Sequence, residues 1–405
     1  MNSGEIMKTL SFEHTKTACY IGSISQAIVC NFLPLLFIIF NKDYGIPLAL
    51  VTLFATVNFV MQLIMDFTSL FYVDRASYRK TIVTAHLLAA GGFLFLGLVA
   101  PRVQNTYLAV LFSVMMFSAG GGLFEVLLSP IIEACPSKNK AATMSMLHSM
   151  FAFGSIGVIL LTSLLLFVLG KENWHIIAII WAIIPFANAV YFMFVPITKM
   201  VENSERTPLT KLFKKKSFLV FILIMLCSGA TEIAMSQWAS AFAESSLGVS
   251  KTMGDMLGPC IFASMMALSR VLYSKLADKI NLAKYLLVCG FLSVLCFLTA
   301  ALSPIKILAL LACGFCGFTV GIAWPGAVSL AAKAYPLGGA SMFGVLALAG
   351  DIGCTAGPTL VGFAAAAFGG ELKTGLLIST IFPILLVIST ILLMRRVKKH
   401  PEMNI

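Results

Sequence analysis

Charged side chains are scarce in this chain: of its 405 residues, Asp, Glu, Lys and Arg make up 11%, whereas hydrophobic residues make up 59%. The chain also lacks polar segments long enough to form a folded domain outside a membrane. Its mean hydropathy is +0.97. Because soluble domains carry about 25% charged residues, this composition excludes a soluble enzyme with a membrane tail and predicts an integral membrane protein.

Sequence signatures of nucleotide hydrolysis and of intramembrane hydrolysis are missing too. No G-x-x-x-x-G-K-[ST] motif occurs, which excludes a self-contained ATP-driven pump, and neither an H-E-x-x-H pattern nor a nucleophile-base cluster is present. The ten cysteines lie mostly in apolar stretches, and the C-x-x-C pair Cys313 and Cys316 has no second pair or histidine nearby. We therefore expect no enzyme activity, no cofactor and no bound metal.

Hydrophobic stretches of membrane-spanning length recur along the chain and are separated by Pro, Gly, Asn and charge clusters. A transmembrane helix takes about 20 residues. The sequence therefore predicts an all-α membrane protein with twelve transmembrane helices, at residues 17–40, 48–73, 81–100, 106–133, 141–169, 175–198, 217–243, 254–277, 283–302, 305–333, 340–369 and 373–394.

Basic residues are concentrated in alternate loops of this arrangement. If the N-terminus lies in the cytoplasm, 21 of the 28 Lys and Arg residues fall on the cytoplasmic side and six on the other, while Arg270 lies within a helix. Such a bias is typical of cytoplasmic loops, so we expect both termini in the cytoplasm and a multi-pass protein of the plasma membrane, which in bacteria is the inner membrane. The net charge of +11 follows from this topology and needs no nucleic-acid partner.

The two halves of the chain resemble each other. The segment 74–80 (DRASYRK) after the second predicted helix matches 278–284 (DKINLAK) after the eighth, and 154–157 (GSIG) matches 350–353 (GDIG). Two matches in the same order at similar spacing indicate a duplicated unit. The predicted domains are an N-terminal six-helix bundle at 1–198, a cytoplasmic linker at 199–216, a C-terminal six-helix bundle at 217–394 and a cytoplasmic tail at 395–405.

With twelve helices, a central basic loop and this acidic-basic segment, the chain resembles the major facilitator superfamily over nearly its whole length. The segment is similar to the superfamily motif G-x-x-x-D-R-x-G-R-R, although Leu70, Ser77 and Tyr78 replace its two glycines and one arginine. The resemblance implies two six-helix bundles around a central cavity that opens alternately to each side. It also implies that charged residues of this loop and of its counterpart in the second half hold the cytoplasmic side closed, as a latch. The alternative is that these residues only cap helix ends and set the orientation of the chain in the membrane. The latch residues would be Asp74, Arg75, Asp278 and Lys279.

One stretch resembles a particular branch of the superfamily. Residues 121–136 (GGLFEVLLSPIIEACP), together with His148, resemble the fucose:proton symporters. In that branch a glutamate ahead of an Asn-Pro pair is essential for proton coupling, and it matches Glu125 here, with Ser129 in place of the Asn. The aspartate that the branch carries in its first helix has no counterpart at residues 22–34.

Ionisable side chains within the predicted helices are functional candidates, because a charge in a bilayer is costly. Glu125 and His148 each lie roughly 10 Å from the cytoplasmic ends of their helices at about 1.5 Å per residue, so they can face each other and serve proton coupling. Alternatively, Glu125 is only hydrogen-bonded to a neighbouring helix, and His148 is a histidine of the protein core; neither would then carry a proton. Glu232 is a further candidate, expected to bind the substrate or to share the proton with Glu125. Asp66, Arg270 and Asp351 are candidates for ion pairs between helices.

Asp66 and Arg270 occupy equivalent positions in the repeat, each eight residues before the acidic loop residue, and they carry opposite charges. They can form an ion pair between the halves in one conformational state. Alternatively, each can pair within its own half, for example Arg270 with Asp351. The sequence leaves both pairings open.

The seventh predicted helix carries a polar stripe. Glu232 is spaced by four residues from its serine neighbours, so they share one helix face and are expected to line a cavity; the serines are Ser228, Ser236 and Ser240. An aromatic face can stack on a sugar ring while a carboxylate holds its hydroxyls, a pairing that the resemblance also implies for Trp238 and Glu232. The remaining candidate substrate contacts are Gln26, Asn31, Asn58, Gln62, Gln237 and Trp324.

Together these features predict a secondary active transporter that couples proton entry to the uptake of a sugar or sugar-like polar solute. The alternative is a drug or metabolite:proton exporter. Such exporters carry a glycine-proline motif in their fifth helix, whereas here the fifth predicted helix has no proline and Gly357-Pro358 lies in the eleventh. We expect a monomer in the lipid bilayer, with a small polar solute and a proton as its ligands.

Overall fold

The computed structural model describes residues 10–73, 75–198, 206–247, 251–368 and 372–399. In this part of the chain nearly every residue is helical and no β-strand occurs. The predicted all-α fold is confirmed.

The long helices follow the predicted order. Ten of them have the length and composition of membrane spans within the described residues, and α2 and α8 complete the predicted twelve. Their bounds are α1 (Phe12–Asn31), α2 (Leu48–Tyr72), α3 (Tyr78–Leu98), α4 (Thr106–Ala134), α5 (Lys140–Leu169), α6 (Trp174–Phe194), α7 (Lys216–Leu247), α8 (Lys251–Leu276), α9 (Leu282–Leu302), α10 (Lys306–Val320 and Ala323–Ala334), α11 (Gly339–Ala367) and α12 (Leu372–Ser379 and Ile381–Lys399).

Shorter elements interrupt or join these helices. After α1 the chain makes a 3-10 turn, Leu33–Leu36, which contains Pro34, and then a short helix, Phe37–Lys42. A five-residue helix, Leu209–Phe213, lies between α6 and α7; we refer to it as the linker helix.

The interruption in α10 differs from the continuous helix that the sequence predicts over 305–333. Helical geometry stops at Val320 and resumes at Ala323. Pro325 has no N–H, so the carbonyl of Gly321, four residues earlier, has no helical donor. The apolar composition of the stretch hides this break from a hydropathy argument.

The chain divides into two compact units. The first comprises Met1–Pro136, Met150–Glu205 and Gly339–Gly344; within it α3 packs against α4 and α6, and α2 packs against α4. The second comprises Ser137–Ser149, Arg206–Gly338 and Val345–Ile405; within it α8 packs against α7 and α10, and α12 packs against α7 and α9. The first ten residues of α5 therefore belong to the second unit. The predicted domain boundaries remain predictions.

Glycines on α11 let this helix approach α7 at backbone distance. A Cβ atom at Gly353 would lie 2.8 Å from the carbonyl carbon of Leu226, and one at Gly357 would lie 2.8 Å from the Cα of Ala230. Such separations are too short for real side chains, so bare backbone forms this contact, as is common where membrane helices pack closely.

A larger residue at this contact should destabilise the second unit. Gly357→Val must displace Ala230 or push α11 away from α7, and we expect a loss on the order of 2 kcal/mol and a fall of several degrees in the thermal unfolding midpoint. Gly157→Val is the matched control, because a Cβ at Gly157 meets nothing within 4 Å. An equal loss of stability in both variants would contradict the packing role of Gly357.

Candidate functional site

Two adjacent glycines bring α4 close to α1 and α2 in the first unit. A Cβ at Gly122 would lie 2.7 Å from the Cβ of Met65, and one at Gly121 would lie 2.9 Å from a methyl carbon of Val29. Both positions therefore need a residue without a side chain. Polar groups flank this contact on all three helices.

Amide and hydroxyl groups from α1, α2 and α4 form a continuous hydrogen-bonded chain here, which we call the amide chain. Gln26 Nε2 donates to Gln62 Oε1 at 2.8 Å, and Gln62 Nε2 donates to Asn58 Oδ1 at 3.2 Å. Ser118 Oγ donates to the same Asn58 oxygen at 2.6 Å. All four residues are buried. Among the described residues, Gln26 Oε1 is buried and has no hydrogen-bond partner, so the amide chain contains one unused acceptor.

Two acids lie one helical turn beyond the amide chain. Asp66 follows Gln62 by four residues on α2, and Glu125 follows Gly121 by four on α4. A carboxylate oxygen of Asp66 and one of Glu125 lie within 4.8 Å of each other; we call these two residues the carboxylate pair. Asp66 is fully buried and Glu125 is half-buried. Two carboxyl groups at this separation, on neighbouring helices of the first unit, form an arrangement that can share one proton.

Asn31 lies on α1, one turn beyond Ala27. Its amide nitrogen donates to the Ala27 carbonyl at 2.9 Å and to Ser155 Oγ on α5 at 3.0 Å. The polar residues predicted on α1 and α2 are thus held by bonds between helices of the first unit.

A buried arginine joins four helices of the second unit. Arg270 on α8 is 3% exposed, and its Nη2 lies 3.7 Å from a carboxylate oxygen of Glu232 on α7. Its Nη1 donates to the His148 carbonyl on α5 at 3.0 Å, and its Nε donates to the Gly321 carbonyl in α10 at 2.7 Å. We call Arg270 with these three acceptors the arginine hub. It places the partner of Arg270 within its own half, at Glu232.

The acceptor in α10 is the carbonyl that Pro325 leaves without a helical donor. A buried carbonyl without a donor costs free energy, and the guanidinium supplies the missing hydrogen bond. The arginine hub therefore satisfies a backbone acceptor at the interruption of α10 and places a cation beside Glu232 at the same time.

His148 enters the hub through its backbone rather than its ring. Its Nε2 is buried and has no hydrogen-bond partner among the described residues. Ser145, one turn earlier on α5, donates from Oγ to the Arg270 carbonyl at 2.8 Å. The expectation that His148 faces Glu125 concerns two units, and it stays a prediction.

The sequence profile of the Major Facilitator Superfamily matches residues 19–358. The chain belongs to this superfamily. It is therefore a multi-pass membrane protein of a transporter family. No curated protein sequence matches the chain.

Solved structures of other transporters share the fold. The E. coli fucose:proton symporter is 16% identical, with a TM-score of 0.79 over 95% of this chain and 99% of the symporter. A proton:xylose symporter bound to 6-bromo-6-deoxy-D-glucose is 12% identical, with a TM-score of 0.77 over 93% of this chain and 94% of its own. A bacterial homologue of the iron transporter ferroportin is also 12% identical, with a TM-score of 0.72 over 94% and 99%. At these identities the likeness shows the fold alone.

The predicted polar stripe of this transporter lies on α7 in the second unit, and its described side chains are buried or half-buried. Ser228 is buried and donates to the Ile224 carbonyl at 2.7 Å, whereas Glu232 joins the arginine hub. Trp238 is half-buried, and its indole nitrogen donates to the Pro358 carbonyl on α11 at 3.1 Å. Gln237 is exposed, which agrees with its position on the opposite side of α7 from Glu232. The side chain of Ser240 lies outside the described residues.

Trp324 lies immediately after the interruption of α10. Its ring packs against Gly350 on α11, where any side chain would overlap it. Asp351 follows Gly350, is half-buried, and accepts a hydrogen bond at its backbone carbonyl from Thr355 Oγ1 at 3.0 Å. One edge of the Trp324 ring is therefore covered by α11.

The loop residues of the predicted latch have separate surroundings. Asp74 lies outside the described residues. Arg75 is exposed and, with Arg79, lines a cavity of about 370 Å³ in the first unit. In the second unit Asp278 accepts a hydrogen bond from Asn139 Nδ2 at 2.6 Å, and Lys279 is exposed. The latch itself would join the two units, and it stays a prediction.

Several groups of the two sites were not expected from the sequence. Ser118 ends the amide chain, Ser155 binds Asn31, and the carbonyls of His148 and Gly321 complete the arginine hub. A signal existed for Ser118, which lies seven residues before Glu125 and so shares its helix face. For the backbone carbonyls, only Pro325 gave a hint.

Proposed function

We propose that this transporter is a proton-coupled symporter that takes up a sugar or sugar-like polyol by alternating access. The carboxylate pair carries the proposal. Asp66 and Glu125 lie within 4.8 Å of each other, one turn from the amide chain, so that binding a proton and binding a solute involve the same two helices. A proton that binds between the two acids removes a charge beside the amides, which links the two events.

The amide chain supports a polyhydroxylated solute. Amide groups both donate and accept hydrogen bonds, as sugar hydroxyls do, and the unused acceptor of the amide chain is Gln26 Oε1. We assign solute contact to Gln26, Asn31, Asn58 and Gln62 in the first unit. In the second unit we assign it to Glu232, Trp238 and Trp324, whose carboxylate and rings suit hydroxyls and sugar faces. The fucose and xylose symporters that share the fold agree with this class of solute.

The proposed setting is the plasma membrane, with both termini in the cytoplasm and the chain acting as a monomer. In bacteria this is the inner membrane. The distribution of basic loops supports this orientation.

Ligand-induced thermal stabilisation of the purified protein tests the proposal. A ligand that binds only the folded state raises its stability, by about 2.7 kcal/mol at a hundred times its Kd. The panel should contain sugars, polyols, nucleosides, hydrophobic cations and ferrous iron, measured at about pH 5.5 and about pH 7.5, where carboxylates in a site can change protonation. We expect a sugar or polyol to raise the unfolding midpoint by several degrees, with a pH dependence that Glu125→Gln reduces.

The matched control is Glu133→Gln, the same chemical change two turns further along α4. It should leave the pH dependence intact. Stabilisation by hydrophobic cations alone would favour the exporter, and stabilisation by ferrous iron alone would favour a metal transporter; either result would overturn the sugar assignment.

A further inference from the structure

The residues that precede α7 are bonded, within the second unit, to the loop between α10 and α11. The backbone N–H of Thr207 donates to the Leu337 carbonyl at 2.8 Å, and Leu212 on the linker helix is fully buried. The backbone N–H of Lys215 donates to the Leu212 carbonyl at 2.9 Å. This part of the linker is therefore fixed to the end of the unit.

Tyr335, just after α10, anchors the same region. Its hydroxyl lies 2.5 Å from Ser217 Oγ, and Lys215 Nζ lies 5.2 Å from the centre of its ring, a cation–π distance. Burial raises the pKa of Tyr335, while the Ser217 hydrogen bond and the positive charge of Arg396 act in the opposite direction. Arg396 at the end of α12 therefore belongs to the same neighbourhood.

Five basic residues lie in the segments that form this end of the second unit; we call them the basic platform. Four are the exposed lysines of the linker and the start of α7, and the fifth is Arg396: Lys211, Lys214, Lys215, Lys216 and Arg396. The segments 206–219, 333–338 and 381–399, which supply or adjoin the platform, contain no Asp or Glu. The positive charge of the platform is not compensated within these segments.

Apolar side chains border these cations. Phe213 is 44% exposed and Leu219 is 48% exposed. Lysines beside exposed apolar groups, at the end of a membrane helix, match the boundary between lipid headgroups and acyl chains, where long basic side chains reach phosphates while their stems stay in the apolar layer.

We propose that the basic platform binds the headgroups of anionic phospholipids, in the leaflet on the side where α7 begins and α12 ends. Charge complementarity and the fixed geometry of the linker select this occupant. Each lysine near an anionic membrane surface increases its occupancy severalfold. The proposal does not depend on the identity of the solute.

Electron paramagnetic resonance with nitroxide-labelled lipids tests the proposal directly. The protein is reconstituted in phosphatidylcholine vesicles, and the immobilised fraction of labelled phosphatidylglycerol is compared with that of labelled phosphatidylcholine. We expect the wild type to be selective for phosphatidylglycerol. This selectivity should fall at least threefold in a variant carrying Lys211→Gln, Lys214→Gln, Lys215→Gln and Lys216→Gln. It should be retained when the same four lysines are replaced by arginine. High salt should weaken the wild-type selectivity.

The matched control removes four other exposed lysines of the second unit, through Lys138→Gln, Lys140→Gln, Lys275→Gln and Lys284→Gln. It should keep the selectivity. An equal loss in both quadruple variants would reduce the effect to general basic charge and overturn the proposal. Wild-type protein without selectivity, or with salt-independent selectivity, would overturn it even if the glutamine variants failed to fold.

Discussion

Replacing Glu125 with glutamine should abolish proton-driven accumulation of the solute while exchange of preloaded solute continues at least partly. Glutamine keeps the shape and hydrogen-bonding capacity of a protonated glutamate, so the solute site is expected to persist. It cannot release or bind a proton, so the carboxylate pair loses one titrating group. Proteoliposomes with an imposed pH gradient measure accumulation, and counterflow in the absence of a gradient measures exchange.

Two further variants separate coupling from general damage. Asp66→Asn removes the other acid of the carboxylate pair but leaves the one that we assign to coupling, so it should weaken proton-driven accumulation without abolishing it. Glu133→Gln should behave as the wild type does. Accumulation at the wild-type level in Glu125→Gln would remove Glu125 from the coupling role. Loss of both accumulation and exchange would place it in solute binding instead.

The largest loss of stability among these variants is expected from Arg270→Gln. The change removes the charge that faces Glu232 and the Nε donor that satisfies the Gly321 carbonyl. Breaking a buried ion pair by removing one partner costs about 3–5 kcal/mol. We expect the thermal unfolding midpoint to fall by roughly 10 °C, measured on purified protein without added ligand.

Companion substitutions identify which bond matters. Arg270→Lys keeps the charge but cannot reach three acceptors at once, so its stability should lie between those of the wild type and Arg270→Gln. Adding Glu232→Gln to Arg270→Gln removes the unpaired acid and should recover part of the loss. A double variant less stable than Arg270→Gln would show that the ion pair is not the source of the effect.

The sequence predicted the helices well because membrane spans are set by the length of apolar stretches. It did less well on α10, where Gly321 and Pro325 lie within such a stretch and no polar residue marks the break. It also left the partner of Arg270 open between Asp66 and Asp351, whereas the structure places Glu232 beside it.

The same limit applies to the candidate site. Spacing by four places Asn58, Gln62 and Asp66 on one face of α2, but periodicity does not say which helix that face meets. The glycines at 121 and 122 are what bring α4 there, and this follows from three-dimensional packing.

The interruption of α10 changes how this helix can bend. A continuous helix resists bending through its backbone hydrogen bonds, whereas α10 is two short rods: Lys306–Val320, which lies against α7, α8 and α9, and Ala323–Ala334, which lies mainly against α7 and α9. At the joint, the carbonyl of Gly321 is bonded by the side chain of Arg270 on α8, which also lies beside Glu232 on α7. One side chain of α8, placed beside an acid of α7, thus completes the backbone hydrogen bonding of a third helix at the point where that helix can bend.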